Sequence, residues 1–193
     1  MNIILIGAGG HARSCLDVIE NATKKFKVLG FVDKKNSKTD YKLNILGVEN
    51  DLIKIMSKHK CNNLLIAIGQ IKSANTRQNI YKKFKNLGFK FPKIISKNST
   101  VSKKSNILDG TIIMQNVFIN SYCDVHENCI INSGSILEHD VTIKNNCHIG
   151  PGAIINGGVT IGEGSFIGSG AIVKQNSILP KKSFIQAGTF YSN

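Results

Sequence analysis

From Ile95 onward every sixth residue is isoleucine, valine or leucine: Ile95, Val101, Ile107, Ile113, Ile119, Val125, Ile131, Leu137, Ile143, Ile149, Ile155, Ile161, Ile167, Val173, Leu179 and Ile185. Four residues after each stands a small one, from Ser99 and Ser105 through Cys123, Cys129 and Cys147 to Thr189. A period of six matches neither an amphipathic helix nor an alternating strand. It predicts a parallel β-helix of triangular section, each hexad forming one side. The aliphatic residue then fills the axis, and the small residue fits near the corner. At the spacing of stacked strands this gives a prism of about five coils, roughly 25 Å long.

Residues 1–94 follow another rhythm. Apolar runs at 3–6, 28–32 and 64–68 read as strands, ending at Gly7, Asp33 and Gly69. Helical patterns follow the first run to about Ala22, start again near Asn50-Asp51, and recur over 75–87. This alternation predicts a small parallel sheet covered by helices, half of a Rossmann-like unit. We therefore expect two domains, 1–94 and 95–193. Gly7-x-Gly9-x-x-Ala12 lies at the first strand-to-helix turn, and Asp33 follows where an acid binding a ribose would stand. Glycines there let a diphosphate approach the backbone, and the helix N-terminus supplies N–H donors. Ninety-four residues make one mononucleotide-binding half, so a nucleotide diphosphate fits better than a dinucleotide; a purely structural turn is the third reading.

Composition narrows the class. The 193 residues are 41% hydrophobic with three prolines and no tryptophan, which suits an aliphatic globular core and excludes a disordered chain. No apolar run reaches the length of a membrane span, and the N-terminal run is too short for a signal peptide. Five cysteines without CxxC spacing favour reduced thiols and a cytoplasmic location. The net charge of +13 raises nucleic acid as a partner. However, residues 1–94 hold 18 Lys and Arg against 6 Asp and Glu, while residues 95–193 hold 7 against 6. Scattered lysines such as Lys24-Lys25 and Lys82-Lys83 read as a solvated face. A nucleic-acid surface would want aromatic residues interleaved with the basic ones on an exposed face, and no nucleic acid is expected as a partner. His126, His139 and His148 fall in different hexad phases and form no close pair for a metal.

Gly7-Ala8-Gly9-Gly10-His11, Leu65-Ile66-Ala67-Ile68-Gly69, 132–140 (Asn-Ser-Gly-Ser-Ile-Leu-Glu-His-Asp) and 148–153 (His-Ile-Gly-Pro-Gly-Ala) together resemble the bacterial nucleotide-sugar acetyltransferases of the hexapeptide-repeat superfamily. That group includes the UDP-4-amino-sugar N-acetyltransferases of the bacillosamine pathway, the perosamine N-acetyltransferases and the sialic-acid O-acetyltransferases. The resemblance implies a left-handed prism, acetyl-CoA as co-substrate, no metal, and a homotrimer with sites between subunits. It implies His139 as general base, oriented by Asp140. It assigns acetyl-CoA contacts to Asn132, His148, Gly157, Ser169 and Ala187, with the Gly157 amide facing the thioester carbonyl. Gly9, Gly10 and His11 would hold the diphosphate of a nucleotide-activated amino sugar. Asp33 and Lys34 would contact its base or ribose, and Gly69 would close that pocket. Two features depart from the family: the chain stops at Asn193 without a Val-Pro-Ala-Lys-like tail, and Lys34 replaces the second acid of a common Asp-Asp pair.

His139 and His148 lie nine residues apart, half a coil, so they can meet only across a subunit interface. The reading is an N-acetyltransferase of a UDP-4-amino-sugar type substrate for a bacterial surface glycan or glycoprotein. The alternatives are an O-acetyltransferase of sialic-acid-like sugars and a non-catalytic nucleotide-sugar-binding protein.

Overall fold

The computed structural model describes residues 1–35 and 42–192. Its N-terminal part contains β1 (Asn2–Ile6), α1 (Gly10–Glu20), β2 (Lys27–Val32), β3 (Ile45–Gly47), a 3-10 turn at Glu49–Asp51, α2 (Leu52–Lys58), β4 (Leu64–Ile66) and α3 (Asn75–Asn86). The strands form one parallel sheet in the order β3-β2-β1-β4. Three strands and three helices stand where the apolar pattern puts them. The edge strand β3 is additional: three half-buried residues are too short to show a period.

The sheet is apolar on both faces, as a parallel sheet covered on both sides requires. Ile4, Ile6, Leu64 and Ile66 pack with α2 and α3, whereas Ile3, Leu5, Phe31 and Leu65 face α1. Helix α1 is shared. Its Ala12, Cys15, Val18 and Ile19 belong to the same buried cluster as Ile94, Ile112 and Ile130 of the second part.

That second part consists of seventeen two-residue strands, β5 (Ile94–Ile95) to β21 (Phe190–Tyr191). They stack in three parallel sheets with a register of eighteen residues, as in Ile131↔Ile149 and Ile149↔Ile167. The second residue of each strand is the sixfold aliphatic position, and from Ile113 to Val173 all are fully buried. The ladder extends one step beyond the aliphatic series, to a half-buried Tyr191. Each strand's outward residue gives its face a character. The first sheet (β5, β8, β11, β14, β17, β20) shows Ile94, Ile112, Ile130, His148, Phe166 and Phe184, and α1 covers its beginning. The second (β6, β9, β12, β15, β18, β21) shows Thr100, Phe118, Ile136, Ile154, Ile172 and Phe190. The third (β7, β10, β13, β16, β19) shows Asn106, Asp124, Thr142, Thr160 and Ile178.

A third phase of the repeat sets the corners. From residue 110 to 188 every sixth residue is left-handed, with φ between 56° and 74°. L-residues other than Gly, Asn and Asp resist that conformation. Twelve of these fourteen positions are Gly, Asn or Asp; Tyr122 and Lys182 are the others. All five cysteines are free and buried. Cys129 and Cys147 stack in successive coils as the eighteen-residue spacing predicts.

Candidate active site

The expected nucleotide-binding residues converge at the C-terminal ends of β1, β2 and β4. Gly7 turns the chain with φ +100°, and a Cβ there would lie 2.7 Å from Ile68. Its N–H bonds to the Val32 carbonyl. Asp33 is tied to the same loop, one carboxylate oxygen accepting from the Ala8 N–H (2.8 Å) and the other from the Lys34 N–H (2.7 Å). Gly69 lies against the His11 side chain. Around Gly9 and Gly10 the situation differs, because a Cβ on either would meet nothing within 4 Å. Packing therefore does not explain these two exposed glycines, which open α1.

The other expected residues separate into two groups on the prism. Asn132, Ser169 and Ala187 lie in turns of the same corner, between the first and second sheets, with His148 on the first sheet's outward face. His139, Asp140 and Gly157 lie at the corner between the second and third sheets. The second sheet separates the groups within one chain.

At the second corner His139 Nδ1 stands 2.8 Å from Asp140 Oδ2, and both side chains are more than half exposed. The carboxylate accepts from Nδ1–H, which leaves the Nε2 lone pair free to take a proton. Gly157, one coil on, makes room for the ring: a Cβ there would lie 2.7 Å from His139 Nε2 and Cε1. Among the described residues, no hydrogen bond engages the Gly157 N–H. Asp140 also occupies a left-handed corner (φ 61°), so two demands meet in one residue.

His148 is built differently. It is 7% exposed, and both ring nitrogens are engaged. Nδ1 donates to the Gln70 carbonyl (2.5 Å), and Nε2 accepts from Asn132 Nδ2 (3.1 Å). Asn132 Oδ1 accepts in turn from the Ser133 N–H. His148 thus joins the loop after Gly69 to the corner holding Asn132.

Burial lowers the pKa of His148 to about 4, with Arg77 acting in the same direction against the Gln70 hydrogen bond. Burial, then the charges of Arg77 and His148, bring His11 to about 4 as well. Both remain neutral in the folded protein at pH values where an unfolded chain protonates them, below about 6.5. Their contribution to stability is complete above that pH and falls as pH drops towards 4, by about 1.4 kcal/mol per pH unit for each group. We expect thermal stability to decline across this window and the decline to be shallower in His148→Gln. Parallel melting curves at pH 7, 6, 5 and 4.5 check this; equal slopes would show that His148 does not contribute.

Sequence reasoning missed Gln70 and Arg77, the buried partners of this seam. Nothing marks either residue locally, since their partners on the prism are 51 to 95 positions away. Among the described residues, no three His, Cys, Asp or Glu side chains gather to hold a metal. No described helix is long and apolar enough to cross a membrane.

Residues 2–84 match the family described as PglD N-terminal domain. Residues 122–157 and 140–175 match that described as bacterial transferase hexapeptide (six repeats). No curated protein matches the chain in sequence. Among solved structures, it is similar to perosamine N-acetyltransferase from Caulobacter crescentus, a histidine-to-asparagine variant in complex with CoA and GDP-perosamine. That likeness has 26% identity and a TM-score of 0.89, over 97% of this chain and 87% of the other. It is also similar to the acetyltransferase domain of PglB from Neisseria gonorrhoeae in complex with acetyl coenzyme A, at 24% identity and a TM-score of 0.89, over 99% and 90%. The architecture is that of a half-Rossmann-like sheet followed by a left-handed β-helix.

Proposed function

Since the chain joins a PglD-type N-terminal domain to the hexapeptide repeats of bacterial transferases and is an acyltransferase of that superfamily, we infer that it moves the acetyl group of acetyl-CoA onto the amino group of a nucleotide-linked amino sugar. The observation that carries this reading is the half-exposed His139, with Nδ1 held by Asp140 and Nε2 beside Gly157. An ammonium group must lose a proton to attack a thioester. Imidazole is suited to accept it at neutral pH, and the carboxylate stabilises the imidazolium that forms. The unengaged Gly157 N–H serves the developing oxyanion. No covalent intermediate is needed.

The division of labour follows the charge. Residues 1–94, net +12, bind the sugar nucleotide; residues 95–193, net +1, carry out acyl transfer. Gly9 and Gly10 leave the α1 N-terminus open to a diphosphate beside His11, and Gly69 lines the same space. His11 acts there as a neutral donor or acceptor rather than as a cation. Asp33 holds the loop through Ala8 and, with Lys34, borders the base and ribose. The UDP type is our preferred nucleotide. Asn132, Ser169 and Ala187 line one corner, where the pantetheine arm runs, and His148 reaches that arm through Asn132.

The two corners meet in a trimer. The second sheet's face carries an apolar stripe, exposed at Phe118 and Phe190 and half-buried at Ile136, Ile154 and Ile172. Cyclic packing on that stripe brings the Asn132 corner of one copy to the His139 corner of the next. We take the reaction to be cytoplasmic, a reading that the five free cysteines and the use of acetyl-CoA support.

The test is free-thiol release from acetyl-CoA across UDP-, GDP- and dTDP-linked amino sugars and sialic acids. We expect turnover with a nucleotide-linked amine and not with the matching hydroxyl sugar. Turnover with sialic acids alone would make this an O-acetyltransferase. Tight nucleotide binding without any turnover would make it a non-catalytic binding protein.

A further inference from the structure

Arg77 of α3 is 1% exposed, and among the described residues no carboxylate pairs with it. Its two terminal nitrogens bond to carbonyls and an amide, while the buried Nε has no partner among the described residues. Nη1 donates to the Ile66 (2.7 Å) and Ile68 (2.8 Å) carbonyls at the end of β4. Nη2 donates to Asn128 Oδ1 (3.0 Å) and O (3.3 Å) at a corner of the prism. From there Asn128 Nδ2 donates to Asn146 Oδ1 (2.8 Å), one coil on, and Asn146 Nδ2 to Glu163 Oε1 (3.3 Å). Glu163 is also held by Gln78 of α3 (3.1 Å). Gln70 returns to the same ladder, its Nε2 donating to the Asn146 carbonyl (2.9 Å) while its own carbonyl accepts from His148.

The segment from Ile66 to Gln70, which contains Gly69, is therefore fastened to the prism by Arg77–Asn128, Gln70–Asn146 and Gln70–His148. Adhesion alone does not require this. Helix α1 already joins the two parts through an apolar contact with Ile94, Ile112 and Ile130. A buried cation contributes little net stability, because its desolvation offsets its hydrogen bonds. An apolar contact tolerates small slips, whereas hydrogen bonds with fixed partners define one register.

We propose that Arg77, with the Asn128–Asn146 ladder, is a positioning device that sets the nucleotide-binding segment Ile66–Gln70 against the acyl-transfer wall at His148 and Asn132. It touches neither substrate and acts through the loop it holds. The proposal rests on the function inferred above for that loop.

Both ladder asparagines occupy left-handed corners, Asn128 at φ 56° and Asn146 at φ 61°, so glycine preserves the backbone and deletes only the side chain. The test compares wild type with Asn128→Gly and Asn146→Gly. In Asn128→Gly, amide exchange over residues 66–71 should accelerate by about tenfold while exchange in the prism strands stays unchanged. Calorimetric titration should show weaker binding of the nucleotide probe, UDP or GDP, by about fivefold or more, with CoA affinity unaltered. Asn146→Gly should shift both readouts in the same direction. Unchanged exchange over 66–71 would overturn the proposal, as would equal losses of nucleotide and CoA affinity, the mark of general loosening. If wild type binds neither UDP nor GDP, the functional reading fails, and the exchange readout still decides whether the latch exists.

Discussion

Replacing His139 by alanine should lower acetyl transfer by roughly 100-fold or more, the usual weight of a positioned general base. Fold and assembly should be retained, because the side chain is 55% exposed and, among the described residues, its side-chain partner is the neighbouring Asp140. Steady-state thiol release checks the rate, and sedimentation checks the assembly. Near-normal turnover would remove His139 from the mechanism. Asp140 separates two contributions. Asparagine and glycine both accept its left-handed φ of 61°, so neither variant strains the corner. Asp140→Asn keeps an acceptor for Nδ1–H but loses the charge, and Asp140→Gly loses both. A graded loss, on the order of tenfold for Asn and more for Gly, would assign both orientation and charge to the carboxylate. No loss in either variant would leave Asp140 as a corner residue only.

The prism was legible before any coordinates because its repeat is written directly in the chain. Each hexad makes the same local contact as the one before, so Ile149 meets Ile131 and Ile167 by counting eighteen residues. Pairing His139 with Gly157 is the same operation. The left-handed phase was equally available in Gly134, Asp140, Asn146 and Gly152, spaced by six, yet attention to aliphatic and small positions passes over it. Strand β3 was not available, since Ile45–Gly47 is an edge with half-buried residues and no alternation. Arg77 was the least legible residue. In sequence it is one more cation on a lysine-rich helix, and only the tertiary meeting of α3, the end of β4 and the corner at Asn128 buries it. His148 was found by its motif, but its partnership with the Gln70 carbonyl, 78 residues away, was not.

The strongest consequence of the corner arrangement concerns mixtures. His139→Ala and Asn132→Ala should each be nearly inactive alone, because on the proposed function each removes one half of a site. Within one chain those halves stand at different corners, with the second sheet's apolar face between them. If each site draws His139 from one copy and Asn132 from the next, a trimer mixing both variants contains some sites in which both residues are intact. With random assembly from equal amounts, about one site in four is whole, so co-refolded mixtures should regain about a quarter of wild-type activity. Separately refolded variants, combined afterwards, should regain far less unless subunits exchange. A site built within one chain permits no such rescue, since every copy then carries a damaged site. The fraction recovered therefore counts the chains that contribute to one reaction. Changing Ile154→Glu on the stripe should abolish both trimer and activity together while the prism, whose axis is filled by Ile155, stays folded.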